Sequence, residues 1–144
     1  MNTKETAAKL FSQGFNCSQS VFAAFSEKYG LPSDIALKIG CGLGGGLRSG
    51  EVCGAVSGAV MVIGLRYGHS DSADTESKRL CYIKTAEFLQ EFKKLNNSII
   101  CRELLDCDIS NPDGMKTAQE KGLFGTTCVK MVCDAVDLLE RLGY

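Results

Sequence analysis

Residues 52–65, with the sequence VCGAVSGAVMVIGL, form an uncharged run of 14 residues near the middle of the chain. The run is too short to cross a bilayer, which needs about 20 residues in a helix. It is also longer than most β-strands, which have about 3–10 residues. We therefore predict a central buried helix, in which Gly54 and Gly58 allow the backbone of a neighbouring helix to come close.

On both sides of this run, apolar residues recur with the three-to-four-residue spacing of amphipathic helices. Helix-start signals support the same interpretation: Asn16 is a good N-cap, and Asn111 is followed by a proline at the first helical position. The predicted helices cover about residues 4–13, 16–29, 33–39, 75–96, 101–105, 112–122 and 127–142. We predict an all-α fold over residues 1–144, a compact single domain of about six to eight helices around a buried central Gly/Ala/Val-rich helix.

Composition excludes several classes of function. The chain has 16 Lys and Arg residues against 17 Asp and Glu residues, so nothing attracts it to nucleic acid or to an anionic membrane. Its first ten residues carry three charges and no apolar core of a signal peptide, which favours a cytoplasmic protein. The single histidine, His69, lies in a polar stretch, which disfavours histidine-dependent zinc sites and catalytic triads.

Eight cysteines are the most unusual feature of the composition. In the reducing cytosol, so many thiols indicate redox chemistry or metal binding rather than structural disulfides. No Cys-x-x-Cys pair occurs, so any site must be assembled by the fold from distant segments. Cys81 and Cys133 fall on apolar helix faces and Cys41 lies in a glycine-rich loop, and we predict structural roles for these three.

Four other cysteines, Cys17, Cys53, Cys101 and Cys128, fall where helices are predicted to begin. The predicted helix-start residues are, in order, Asn16, Ser49 or Gly50, Ser98, and Thr126 or Thr127. Free backbone N–H groups and the helix dipole favour negative charge at such positions and lower the pKa of a thiol. Thiolate is the form that attacks disulfides and binds metals, so this position favours reactivity.

The chain resembles the C-GCAxxG-C-C family of redox-active proteins over nearly its whole length. The resemblance is carried, in order, by Asn16-Cys17-Ser18-Gln19, Gly44-Gly45-Gly46, Gly50-Glu51-Val52-Cys53-Gly54-Ala55-Val56-Ser57-Gly58, Cys101-Arg102-Glu103-Leu104-Leu105 with Cys107, and Gly122-Leu123-Phe124 followed by Cys128. It implies that Cys17, Cys53, Cys101 and Cys128 are the family cysteines, often accompanied by Cys107. These are the same four that the helix-start argument selects.

The resemblance also carries weaker implications. Some members have selenocysteine, which suits redox chemistry, and family genes often lie near transporter genes. The family is similar to a domain of split-Soret cytochromes in which an iron–sulfur cluster is suspected. The chain lacks the Cys-x-x-Cys-His signature, so no covalent haem is expected.

Three functions follow. The leading hypothesis is thiol–disulfide chemistry with a thiol or disulfide redox partner, in which Cys53 is the nucleophile and Cys17, Cys101 or Cys128 resolves the intermediate. The second places an iron–sulfur cluster or another thiophilic metal on the same four cysteines, for electron transfer. The third is a non-catalytic partner of a membrane transporter.

The glycine run 40–46 provides one further candidate site. It formally matches G-x-G-x-x-G, but a predicted helix precedes it where a dinucleotide fold requires a strand. A less specific hypothesis is an anion-binding pocket formed by these glycines and Arg48 beside Cys53. The alternative, which we favour, is that the glycines only allow a tight turn.

Overall fold

The computed structural model describes all 144 residues and contains eight α-helices. They are α1 (Thr3–Ser12), α2 (Cys17–Ser26), α3 (Ser33–Gly40), α4 (Gly54–Tyr67), α5 (Thr75–Asn96), α6 (Cys101–Leu105), α7 (Pro112–Glu120) and α8 (Val129–Arg141). The only β-type pairing is an isolated antiparallel bridge between Val52 and Ile100. The predicted all-α fold is confirmed.

Helix α4 lies at the centre of the core, as predicted, and packs most extensively against α2. Two glycines make this contact close. A Cβ atom on Gly58 would lie 2.8 Å from the carbonyl oxygen of Ser18, and one on Gly54 would lie 3.0 Å from the amide nitrogen of Ser18. Since real Cβ atoms do not approach backbone atoms this closely, glycine determines how near α2 lies to α4.

Helix α2 begins with the predicted capping box. The Asn16 side chain accepts a hydrogen bond from the Gln19 amide at 3.0 Å, and the Gln19 side chain accepts one from the Asn16 amide at 2.9 Å. The Asn16 side chain also donates to the Cys41 carbonyl at 2.8 Å. The start of α2 is thereby tied to the glycine-rich segment that follows α3.

The predicted start of the central helix at Ser49 or Gly50 is wrong, because α4 begins at Gly54. Leu47, Arg48 and Gly50 have φ values of 60°, 55° and 68°, in the left-handed region, and a right-handed helix cannot pass through them. Val52, which follows, is extended and bridges to Ile100.

Two other predicted caps are also wrong. Ser98 does not cap α6, whose N-cap is Ile100; the Ser98 hydroxyl instead accepts from the Ile100 amide and donates to Glu103. Neither Thr126 nor Thr127 caps α8, because a wide helical turn, Phe124–Cys128, runs directly into that helix.

The long helix α5 has the predicted bounds at its C-terminal end and buries Phe88 and Phe92 completely. Leu95, near its end, continues the apolar spacing of Phe88 and Phe92 but is 50% exposed. The C-terminal end of α5 extends past the hydrophobic core, so the apolar spacing in the sequence continues beyond the buried part of the helix. None of the eight helices combines the length and the apolar character that crossing a membrane would require.

Candidate functional site

The bridge between Val52 and Ile100 brings two distant cysteines together. The Cys53 amide donates to the Ile99 carbonyl at 2.7 Å, and the Cys101 amide donates to the Glu51 carbonyl at 2.6 Å. Each cysteine directly follows a bridged residue and begins a helix: Cys53 is the N-cap of α4, and Cys101 is the first residue of α6. Two backbone hydrogen bonds therefore determine where these thiols lie.

The other pair is brought together by helix packing. Cys17 is the first residue of α2, and Cys128 is the last residue of the turn that leads into α8. The two helices pack against each other, and the Cys17 and Cys128 side chains lie close enough to shift each other's pKa. Two cysteines that are 111 positions apart in the sequence thus lie side by side in the fold.

All four cysteines line one cavity of about 300 Å³. Twelve of its seventeen lining residues are hydrophobic, and Arg48 is the only charged one. Besides the cysteines, the apolar wall consists of Phe11, Phe15, Leu104, Leu105, Ile109, Met115, Phe124 and Met131. The site is thus an apolar chamber of small-molecule size that contains four sulfurs.

Within the Cys17–Cys128 pair, the two thiols shift each other's pKa in opposite directions. The interaction with the Cys17 side chain lowers the pKa of Cys128, against the effect of burial. The interaction with Cys128 raises the pKa of Cys17, and burial and the neighbouring cysteines add to this increase. When the pair loses a proton, the negative charge is therefore favoured on Cys128.

The remaining two thiols are held in the protonated form. Burial raises the pKa of Cys53 to about 11, although the backbone N–H groups of Ala55 and Val56 act to lower it. Burial also raises the pKa of Cys101 to about 12, with a further contribution from Cys53 and Cys128. The helix start acts on Cys53 as expected, but desolvation outweighs it.

The prediction that helix starts would lower the pKa of all four cysteines is therefore wrong for three of them. At Cys128 the direction is as expected, but the cause is different. The Cys128 amide is already bonded to the Leu123 carbonyl, so no helix start is free there, and the lower pKa comes from the Cys17 thiol.

The other cysteines lie outside the cavity wall. Cys41 is exposed, Cys81 is half-buried and packs against the main core, and Cys133 is half-buried. Cys107, which the family resemblance associates with the four, is half-buried and does not line the cavity, although its charge contributes to the raised pKa of Cys101. His69 is exposed, as predicted.

The glycine-rich segment forms an unusual left-handed turn at the cavity. In this turn, φ lies between 55° and 67° at Gly45, Gly46, Leu47 and Arg48. For a residue with a side chain, such as Leu47 or Arg48, this conformation costs roughly 1–2 kcal/mol. A Cβ on Gly45 would lie 2.7 Å from a guanidinium nitrogen of Arg48. The missing side chain therefore leaves room for the arginine, whose Nη1 donates to the Gly44 carbonyl at 3.2 Å.

Sequence reasoning missed the aromatic and methionine part of the wall. Phe15 precedes the Asn16 cap and Phe124 belongs to a family motif, so their positions carried a usable signal. Phe11, Met115 and Met131 lie on amphipathic helices, where an apolar residue that faces a cavity cannot be told from one that faces the core.

The four thiols are soft ligands of the kind that bind zinc or iron–sulfur clusters. In this arrangement, however, no group of three or more Cys, His, Asp or Glu side chains is placed to hold a metal ion. The donor chemistry therefore suits a thiophilic metal, but its coordination would require the sulfurs to move.

No curated protein and no solved structure matches the chain, whereas one protein family does. The family described as "Putative redox-active protein (C_GCAxxG_C_C)" matches residues 15–142, which include all four cavity cysteines and both helices that bring Cys17 and Cys128 together. The chain therefore belongs to the C_GCAxxG_C_C family of redox-active proteins.

Proposed function

We propose that the protein performs thiol–disulfide chemistry in the four-cysteine cavity, with Cys128 as the attacking thiolate and Cys17 as the resolving thiol. The observation that carries the proposal is the proximity of these two side chains on one cavity, where the interaction with Cys17 lowers the pKa of Cys128 and a second thiol lies beside it. The redox character of the family is in agreement. Cys53, the nucleophile favoured by the sequence, has a raised pKa and fits a second, slower pair with Cys101.

The reaction balances with two protein thiols and one substrate disulfide. The Cys128 thiolate attacks one substrate sulfur, the substrate S–S bond breaks, and one thiolate leaves. The Cys17 thiol then loses its proton and attacks the Cys128 sulfur of the mixed disulfide, which releases the second half of the substrate as a thiolate. The substrate is reduced to two thiols, the Cys17–Cys128 pair is oxidised to a disulfide, and an external thiol reductant restores the protein.

Site-resolved trapping under anaerobic conditions tests the proposal. The reduced protein is treated with one equivalent of diethyl disulfide, the remaining thiols are blocked with iodoacetamide, and disulfide-linked peptides are identified by mass spectrometry. We expect a Cys17–Cys128 disulfide in the wild-type protein and a stable mixed disulfide on Cys128 in Cys17→Ser. Cys128→Ser should form no disulfide with Cys17 and should react only at the slower rate of Cys53 and Cys101, whereas Cys41→Ser, at an exposed site outside the cavity, should behave like the wild type.

Two outcomes would contradict the proposal. Oxidation of Cys128→Ser as fast as the wild type would assign the attack to another thiol. A lack of reaction at every cavity cysteine, under conditions in which the denatured protein does react with the disulfide, would remove thiol–disulfide chemistry from this site.

A second candidate function, metal-dependent electron transfer, is favoured by one feature of the electrostatics. The negative charges of neighbouring cysteines raise the pKa of Cys17 and of Cys101, so four thiolates in this cavity would need a cation between them. An iron–sulfur cluster on Cys17, Cys53, Cys101 and Cys128 would supply that cation and a one-electron couple. Anaerobic purification followed by an absorption spectrum, iron analysis and acid-labile sulfide analysis separates this candidate from the first.

The remaining expectations are also proposals: a single domain over residues 1–144, a cytoplasmic location, a thiol or disulfide redox partner, and association with a membrane transporter. The last would be favoured over both redox functions if Cys17→Ser and Cys53→Ser changed only the stability of the protein.

A further inference from the structure

The cavity that contains the four thiols has the size of a small-molecule site, and most of its sulfurs are buried. Its volume is about 300 Å³, at the lower end for small-ligand sites. Cys53, Cys101 and Cys128 are only 6%, 7% and 8% exposed. A disulfide on a protein surface could not reach these sulfurs, whereas a small molecule that enters the cavity would meet all of them.

The charge of the wall is as informative as its size. Arg48 is the only charged residue that lines the cavity; the rest of the wall is hydrophobic apart from three glycines and Asn16. The guanidinium of Arg48 makes no ion pair, in contrast to that of the nearby Arg102, which pairs with Glu51 at 2.8 Å. One hydrogen bond, to the Gly44 carbonyl, uses one of its five donors.

The backbone holds Arg48 in place at a cost in stability. Both Leu47 and Arg48 have positive φ values, which are unfavourable for residues other than glycine. Strained backbone conformations of this kind are common at ligand sites. Gly45 leaves space for the guanidinium, and Gly46 closes the turn by accepting from the Glu51 amide at 2.9 Å. Arg48 is exposed to solvent and also lines an apolar cavity, and an unpaired guanidinium in such a place favours an anionic ligand.

Arg48 is not among the groups that shift the pKa of the cavity thiols. Those shifts have their causes in burial, backbone N–H groups, neighbouring cysteines and Asp108. The role assigned to the guanidinium is therefore substrate binding rather than activation of a thiol.

We propose that the substrate is a small organic disulfide whose apolar body lies among the hydrophobic side chains of the cavity and whose carboxylate is bound by Arg48. Arginine binds carboxylates through two parallel hydrogen bonds, which gives both orientation and selectivity. That the substrate contains a disulfide rests on the proposed thiol–disulfide function. Binding of a carboxylate by Arg48 does not depend on that function.

Binding of hexanoate tests the subsite without any redox step, because hexanoate has no reducible bond. Calorimetry compares hexanoate with hexanamide, which has the same apolar chain and no charge, in the wild type and in three variants. Arg48→Gly removes the guanidinium and suits the positive φ value, so the loop should keep its shape. Leu47→Gly is the matched control, because it removes the cost of the positive φ value at the neighbouring residue and keeps the arginine. Arg48→Lys keeps the positive charge but lacks the planar guanidinium that forms two parallel hydrogen bonds.

We expect hexanoate to bind the wild type and Leu47→Gly about tenfold more tightly than hexanamide, as one charge-assisted contact would provide. Arg48→Gly should lose that preference, and Arg48→Lys should retain part of it. Hexanoate should also protect Cys53 and Cys128 from iodoacetamide in the wild type but not in Arg48→Gly, with the exposed Cys41 as the internal labelling control.

Equal affinities for hexanoate and hexanamide, unchanged binding in Arg48→Gly, or binding without protection of the cavity cysteines would each overturn the inference. These results are distinct from a failure of the proposed function. If the trapping experiment fails while Arg48-dependent hexanoate binding is observed, the anion subsite stands and the thiol chemistry does not.

Discussion

The close contact between α2 and α4 makes a quantitative prediction for Gly58→Ala. A Cβ at this position would lie 2.8 Å from the Ser18 carbonyl oxygen and 3.2 Å from the Val21 Cβ, and the first of these neighbours is backbone. Alanine is favoured over glycine in a helix interior by about 0.5–1 kcal/mol. Overpacking in a closely packed core costs about 1–3 kcal/mol. The net expectation is a loss of about 1 kcal/mol in the free energy of unfolding.

Gly64→Ala in the same helix is the matched control. A Cβ on Gly64 would meet nothing within 4 Å, so only the gain in helix propensity remains. We expect this variant to be more stable than the wild type by about 0.5–1 kcal/mol. The difference between the two alanine variants then isolates the cost of separating α2 from α4.

Equilibrium urea unfolding of both variants under reducing conditions measures this difference, provided that the m-values agree with that of the wild type. A Gly58→Ala variant as stable as Gly64→Ala would refute the reasoning, because the α2–α4 contact would then have room for a methyl group. Since α2 carries Cys17, Gly58→Ala should also move Cys17 relative to Cys128, which would weaken the effect that lowers the pKa of Cys128 and slow its alkylation at neutral pH.

Three further predictions concern the same region. Because the pKa of Cys53 is raised from 9.0 to about 11, the unfolded chain loses that proton first, and the free energy of unfolding should fall as the pH rises through this window; urea titrations should show a smaller fall for Cys53→Ser. At neutral pH, iodoacetamide should alkylate Cys128 before the equally buried Cys101, and the reverse order would contradict the lowered pKa of Cys128. Asn16→Ala should lower the free energy of unfolding by about 1–2 kcal/mol. Asn2→Ala, which removes the same capping box from an exposed helix end, should cost less by the contribution of the bond to the Cys41 carbonyl, and equal losses would contradict this.

Local patterns in the sequence are sufficient to predict the helical architecture. Helix periodicity and capping depend on residues within about one turn of each other, so the capping box at Asn16, the proline start at Pro112 and the buried run after Cys53 could all be recognised without tertiary contacts. The helix starts were mispredicted at residues 49–50 and 98 because long-range pairing between Val52 and Ile100 determines the backbone there.

The sequence by itself distinguishes four cysteines from the other four, because each of them falls near a predicted helix start and within a family motif. Only the tertiary structure decides what their thiols can do. The pKa of a thiol depends on desolvation and on neighbours that are distant in sequence, so burial outweighs the helix start at Cys53 and Cys101, and the interaction with Cys17 makes Cys128 the favoured thiolate.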